Sequence, residues 1–302
     1  MEGQAAARGR ILVITPCHNE AEYLPRTIAA MARQERRPTL WLIVDDGSED
    51  RTGEIADEAA ARHPEWIRVL HRPRRRERSV GPGVIDAFYA GLEEVGQEGW
   101  DYLCKFDGDL DFGPRLFRGL VERMEAEPRL GTFSGKIWED LDGELRYLRT
   151  GDDFSLGMCK FYRTQAFQEI GGFVREVMWD GIDCHRCRMA GWEARSEDRE
   201  ELRLIHLRQM GSSHKSIHLG RRRWGRGQYF MGTHPLYLLA ICTYRLCERP
   251  WIMGGLNILW GYTWSWLTRK PRYEDPRFRR FLRRWQLRRL GLGFLVPGER
   301  DD

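Results

Sequence analysis

Short apolar runs alternate with helix-periodic stretches through the first third of this 302-residue chain, and that alternation constrains its fold more than any other feature. The runs in Arg10–Thr15 (RILVIT) and Leu40–Val44 (LWLIV) are of the kind buried on both faces of a parallel sheet. Trp66–His71 and Tyr102–Phe106 read as a third and a fourth strand. Between them, Ala21–Gln34 carries Leu24, Ile28 and Met31 at helical spacing, and Thr52–Arg62 and residues 84–95 read as two further helices. Alternation within units of roughly 30 residues means βαβ crossovers, hence an α/β fold with a mostly parallel central sheet flanked by helices.

Ligands of open α/β sheets bind beyond the carboxyl ends of the strands. Polar clusters stand at those ends here: Pro16 to Glu20 after strand one, Asp45-Asp46 after strand two, Asp107-Gly108-Asp109 after strand four. Turn chemistry alone accounts for any one such cluster. Three at successive strand ends converge on one rim and point to a site. Asp107 and Asp109 offer hard oxygens to Mn²⁺ or Mg²⁺ shared with a diphosphate, and Asp111 is positioned to add a third.

Charge divides the chain. Residues 1–200 hold 29 basic and 38 acidic residues, and residues 201–302 hold 20 and 7. Of the 49 basic residues 44 are Arg, which suits planar contacts to phosphate. Seven cysteines, with no signal peptide in Met1–Arg10, argue against a disulfide scaffold and for a reducing compartment. Cys184 and Cys187 lack a second cysteine pair at zinc-ribbon spacing and read as ordinary helix residues.

The back of the chain has a different character. A basic knot, Arg221 to Arg226, precedes a largely apolar stretch, Pro235 to Leu246. Trp251 to Thr268 then runs without a charge and holds Trp251, Trp260, Trp264 and Trp266, with Arg269, Lys270 and Arg272 directly after it. Its glycines, Asn257 and hydroxyl residues make it poorly apolar for a span, so it reads as a membrane-interface helix ahead of a core helix. The arginines of 275–289 suit anionic head groups, and without a recognised binding motif no nucleic-acid partner is expected.

These residues resemble glycosyltransferase family 2, with the nucleotide-diphospho-sugar transferase (GT-A) fold, over roughly residues 10–210. ILVITPCHNE, from Ile11 to Glu20, is similar to that family's strand followed by P-x-x-N-E, and Val44 to Thr52 to its V-D-D-G-S-x-D-x-T. Gly81, Gly83, Ala87 and Gly91 follow its glycine loop and helix, and Phe106 to Leu110 its D-x-D strand end. The resemblance implies a GT-A catalytic domain over 1–212 and a basic, aromatic helical region over 213–302. It implies that Asp46 contacts the nucleotide base, that Pro16, Asn19, Glu20 and Gly83 line the nucleotide pocket, and that Asp107 and Asp109 hold the diphosphate and metal. Asp111 stands where the lipid-phosphate subset of the family has Gln. Lys136, in a stretch similar to S-G-x-R, and Arg163 are candidates for an acceptor phosphate. Trp179 to Trp192 is similar to the family's E-D-x-D-L … A-G-Y stretch, with Trp179 in place of Glu, which makes Asp180 the catalytic base and Asp183 the reserve choice. His206, with His214 as competitor, is the candidate to complete the metal site.

The expectation is therefore a metal-dependent inverting glycosyltransferase. Its partners would be a nucleotide-sugar donor, a lipid-linked or growing glycan acceptor, and the cytoplasmic face of the cell membrane, for polysaccharide biosynthesis. A polyprenyl-phosphate sugar synthase is the close alternative, and a catalytically silent membrane-binding module the distant one. A sugar-nucleotide pyrophosphorylase would need a basic glycine-rich loop after strand one, which Pro16 to Glu20 is not.

Overall fold

The computed structural model describes residues 9–73, 82–141, 144–208, 217–246 and 251–295, so Gly81 and His214 lie outside the described residues. The chain divides into two compact units, Met1–Arg175 with Trp179–Met210, and Glu176–Met178 with Gly211–Asp302.

The first unit opens with β1 (Ile11–Cys17), α1 (Leu24–Ala32), β2 (Leu40–Asp45), α2 (Thr52–Arg62), β3 (Ile67–His71) and α3 (Pro82–Val95). It continues through β4 (Tyr102–Phe106), β5 (Leu110–Phe112), α4 (Leu116–Ala126), β6 (Leu130–Gly135), β7 (Ile137–Leu141) and β8 (Glu144–Tyr147). It closes with β9 (Cys159–Arg163), α5 (Thr164–Glu169), α6 (Trp179–Met189), β10 (Glu193–Glu197) and β11 (Leu204–His206). Seven strands form the main sheet in the order β10-β6-β9-β4-β1-β2-β3, in which only β9 runs antiparallel to its neighbours. A smaller sheet, β5-β11-β7-β8, stands apart.

The strand order reverses at β1, which leads to β2 and β3 on one side and has β4 on the other. A crevice at the carboxyl ends of β1, β2 and β4 follows, and the polar clusters sit on its rim. Ile11 to Ile14 and Leu40 to Val44 are buried on both faces, as the unbroken apolar runs require. Trp41, fully buried, donates its indole N–H to Thr15 Oγ1 at 2.8 Å, so the core bears no unsatisfied indole there. Gly91 lets α3 lie directly on the sheet, since a Cβ there would meet Val44 at 2.8 Å and Ile14 and Leu42 at 3.0 Å.

The second unit is helical: α7 (Ile217–Met231), α8 (Pro235–Leu246), α9 (Ile252–Leu267) and α10 (Pro276–Arg289). α7 and α9 meet through small residues. A Cβ on Gly225 would sit 2.0 Å from the Ile258 carbonyl, and one on Gly261 2.0 Å from that of Arg222. Asn257 rivets the pair, its Oδ1 accepting from Arg222 at 2.8 Å while its amide reaches His218 at 3.0 Å. Glu176–Met178 joins this unit rather than the first, with Glu176 3.6 Å from Arg226 and Met178 against Gly227, a contact with no sequence signal. Among the described residues no helix is long and apolar enough to cross a membrane.

Candidate active site

The loop after β1 and the loop after β2 are knitted into one surface by the polar residues of the two motifs. Asn19 N–H donates to Ser48 Oγ at 3.0 Å, Glu49 N–H to Asn19 Oδ1 at 2.8 Å, and Glu20 N–H to Thr52 Oγ1 at 2.7 Å. Asp50 in turn accepts from the N–H groups of Ala21 and Thr52. Asn19 holds φ at 55°, a conformation that Asn tolerates better than most residues. Pro16, opposite Val44 in the ladder, leads into this loop.

Asp46 lies at the tip of β2, its N–H donating to the Cys17 carbonyl at 2.8 Å, and its carboxylate is ion-paired with Arg72. Asp45 faces the other way. Its Oδ1 caps Ser48 N–H, and its Oδ2 lies 3.1 Å from His71, which also reaches Asp57 at 3.0 Å. Burial pushes the His71 imidazolium down, but the two carboxylates outweigh it and hold its pKa above the usual value. Gly83 is buried in the first turn of α3.

At the end of β4, Asp107 N–H donates to the Met158 carbonyl at 2.9 Å, and its carboxylate is ion-paired with Lys105. Gly108 is required between the two aspartates, because a Cβ there would meet Cys17 Sγ at 2.8 Å. Asp109 lies 3.3 Å from His206 Nε2 and 3.6 Å from Arg208, which is also paired with Glu20. Burial raises Asp107, with the charge of Asp109 adding to it and Lys105 opposing. Burial works on Asp109 too, but the hydrogen bond from His206 and the charges around it outweigh that and hold its carboxyl below the usual range.

The rim suits a divalent cation as a partial ligand set. Asp109 and His206 supply an oxygen and a nitrogen side by side, and His206 Nδ1 is buried without a hydrogen bond among the described residues. Among those residues no group of three or more His, Cys, Asp or Glu side chains is arranged to hold an ion, so phosphate and water oxygens would have to fill the shell. Asp111 is not brought to this pair. Its carboxylate is clamped by Arg26 at 2.9 Å and Arg33 at 2.5 Å on α1, and burial, which alone would raise its pKa, is outweighed by these arginines. Spacing did not reveal this: Asp109 belongs to the turn at Gly108–Asp109, whereas Asp111 is already in β5, where α1 supplies its arginine partners.

Asp180 opens α6, with its backbone carbonyl accepting from Lys160 Nζ at 2.8 Å. Gly157 lies against its carboxylate, so that a Cβ on Gly157 would meet Asp180 Oδ2 at 2.9 Å. The Gly157 carbonyl accepts from Lys105 Nζ at 3.0 Å, so a single buried lysine joins Asp107 to the backbone against which Asp180 lies. The Trp179 ring lies 5.3 Å from Lys105 Nζ and 6.0 Å from Lys160 Nζ, bracketing both ammonium groups.

Three other expectations need correction. Asp183 is no reserve base: it is fully buried, 2.8 Å from Lys160 and accepting from Tyr162 Oη at 2.5 Å. Lys136 is buried, its Nζ consumed by the carbonyls of Thr150 and Gly151 at 3.0 Å each and by Asp152 at 2.7 Å. Arg163 stands beside Tyr102, at the end of β4 away from Asp107, and donates to the Met124 carbonyl at 2.7 Å. Neither cation is available to an acceptor phosphate. Conversely, Lys105, Arg72, Arg208 and Gly157 carried no expectation. A lysine inside YLCKF, two before Asp107, and an arginine two after His206 were the readable signals.

The profile of the family described as "Glycosyl transferase family 2" matches residues 12–178. Over 117 residues the chain is 32% identical to the polyprenol monophosphomannose synthase of Mycolicibacterium smegmatis, spanning 39% of this chain and 42% of that protein. It is 37% identical over 117 residues to the undecaprenyl-phosphate mannosyltransferase of Micrococcus luteus, spanning 39% and 45%. The matches thus span less than half the length of these relatives. In fold the chain is similar to the mannosyltransferase PcManGT from Pyrobaculum calidifontis, solved with GDP-Man and Mn²⁺, at TM-score 0.54 and 15% identity over 96% of this chain and 88% of that one. It is also similar to S. aureus TarS 1–349 in complex with UDP-GlcNAc, at TM-score 0.53 and 13% identity over 90% and 78%. At such identities the likeness concerns the fold alone.

Proposed function

Because the chain belongs to glycosyl transferase family 2 and is therefore a glycosyltransferase, we propose that it moves one sugar, with inversion, from a nucleoside-diphosphate donor to a polyprenyl-linked acceptor at the cytoplasmic face of the cell membrane. The observation that carries the reading is the joining of Asp107 and Asp180 through Lys105 and Gly157, beside Asp46 and Asp109 on adjoining strand ends. The names of two relatives, a polyprenol monophosphomannose synthase and an undecaprenyl-phosphate mannosyltransferase, support a lipid phosphate as acceptor.

In this mechanism Asp46, oriented by Arg72, accepts from the base of the donor, and the knitted loops from Pro16 to Glu20 and from Ser48 to Thr52 line its pocket. Asp107 and Arg208 orient the ribose-diphosphate arm. Asp109 and His206 would hold a Mn²⁺ or Mg²⁺ ion, which supplies positive charge to the departing diphosphate. The bond between the anomeric carbon and the diphosphate oxygen breaks, its electron pair leaving with that oxygen, while an acceptor oxygen bonds to the carbon from the opposite face. A phosphate acceptor brings an anionic oxygen and needs no base, so Asp180 then only orients it. A second reading, transfer to a sugar hydroxyl, is favoured by Asp180 itself, a carboxylate beside Gly157 that can take the hydroxyl proton.

The test is thermal stability against a panel of nucleoside diphosphates, with and without Mn²⁺. A ligand at 100-fold over its dissociation constant adds about 2.7 kcal/mol of stability. The reading requires one nucleotide to stabilise the chain in a way that depends on the metal and is lost in Asp109→Asn. No stabilisation by any nucleotide sinks it. Asp180→Asn then separates the acceptors, abolishing transfer to a hydroxyl and only weakening transfer to a phosphate.

A further inference from the structure

The face of α9 that is turned outward is the apolar one. Gly254, Gly255, Asn257, Ile258, Gly261 and Ser265 are buried, whereas Ile252, Met253, Leu256, Leu259, Trp260, Trp264, Trp266 and Leu267 are exposed. At 100° per residue the exposed set forms one continuous arc along a helix about 24 Å long. Trp260 and Trp264 stack on it with centroids 5.8 Å apart, both more than half exposed. α8 turns out Leu236, Leu239 and Tyr244 in the same way. Packing explains the inversion: Gly261 must face α7 and Gly255 must face α8 for the backbones to touch, which sends the tryptophans and most of the large apolar side chains outward.

At the C-terminal end of this arc lies a hollow of about 660 Å³, lined by Trp266, Leu267, Arg269, Lys270, Arg272 and Tyr229. Arg272 stacks on Tyr229 at 4.5 Å, and its buried Nε makes no hydrogen bond among the described residues. Among the described residues none of the three cations is in an ion pair. An apolar, tryptophan-rich arc ending in a cationic hollow with an unsatisfied guanidinium N–H matches an acyl surface bordered by phosphates. A second copy would cover the arc but bring the same excess of cations to a tail with 20 basic and 7 acidic residues.

We propose that α9 lies in the plane of an anionic bilayer, its Trp260–Trp264 face among the acyl chains and a lipid phosphate in the Arg269–Lys270–Arg272 hollow. The inference rests on the membrane part of the function above, and names the surface and the chemistry that part leaves open.

The full chain is to be sedimented with vesicles of phosphatidylcholine alone and of phosphatidylcholine with about 30% phosphatidylglycerol. The wild type should bind the second far more tightly. Trp260→Ser with Trp264→Ser should weaken binding to both by about tenfold or more, and Arg269→Gln with Lys270→Gln and Arg272→Gln should weaken only the anionic component and its salt dependence, also by about tenfold. Both sets replace exposed or partly exposed side chains, and the nucleotide-dependent stabilisation serves as the folding control. Wild-type vesicle binding by the tryptophan variant overturns the proposal. So does a dimer that this variant dissociates in the absence of vesicle binding, which would make the arc a contact between copies. Loss of the nucleotide effect in the wild type would count against the donor site and leave this surface standing.

Discussion

Lys160 Nζ lies 2.8 Å from the Asp183 carboxylate with both side chains wholly excluded from solvent, and the same ammonium donates to the backbone carbonyl of Asp180. Burial alone would push Lys160 down, but Asp183 beside it more than reverses that and holds the ammonium charged, while burial raises the Asp183 carboxyl against the opposing pull of Lys160. Ser155 Oγ at 3.1 Å and Tyr162 Oη take up further hydrogen-bonding capacity. Lys160→Met strands a buried carboxylate and should cost about 3–5 kcal/mol, read as a fall in the urea midpoint. An unchanged midpoint would mean that Asp183 has another partner.

Gly157 offers a sharper probe of Asp180. Its missing Cβ leaves the space that Asp180 Oδ2 uses. Gly157→Ala should displace that carboxylate and lower kcat by roughly 10- to 100-fold while leaving nucleotide-dependent stabilisation unchanged, because a small misplacement of a reacting group is costly. Equal losses in kcat and nucleotide affinity would place the effect in the donor pocket instead.

Asp111→Asn separates a structural aspartate from a metal ligand. Its arginine partners are about half exposed, so the variant should lose only about 0.5–1 kcal/mol of stability. The Mn²⁺ concentration giving half-maximal nucleotide-dependent stabilisation should not move. A rise of about tenfold, comparable to a lost ligand contact, would return Asp111 to the ion.

His71 gives the first unit a pH dependence with a definite sign. Its folded pKa is raised, so its stabilising pairs with Asp45 and Asp57 are complete below the unfolded value of about 6.5 and are lost as pH rises through the folded one. Because His71 is about half exposed, solvent screening limits the effect to under about 1 kcal/mol. Urea unfolding at pH 6 and at pH 8 should show it in the wild type, and His71→Gln should remove it. A wild-type difference of opposite sign would mean that other groups dominate.

The mostly parallel sheet was readable because a strand buried on both faces must be apolar without a break, and Ile11 to Ile14 and Leu40 to Val44 are. The placing of Asp46, Asp107 and Asp109 on one rim followed, since strand ends in a βαβ fold gather at the same edge. The glycines of the motifs were readable as motif positions, but the reason for them is tertiary, since a Cβ on Gly108 would meet Cys17 and one on Gly91 would meet the side chains of β1 and β2.

What no local pattern held was the partner of each charge. Asp183, Lys136 and Arg163 belong to residue types that serve catalysis or phosphate binding, yet each is spent on a neighbour from a distant segment: Lys160, the Thr150–Asp152 loop and the Met124 carbonyl. Lys105 and Gly157 lie 52 positions apart and meet only because β9 returns antiparallel beside β4. The direction of α9 was hidden for the same reason. Composition gave it tryptophans and glycines, but only the approach of α7, close enough to demand glycine, determined which of them would face solvent. Periodicity and backbone sterics act within a few residues and are therefore written in the sequence, whereas ion pairs and helix-face choices depend on which segments the folded chain brings within a few ångströms.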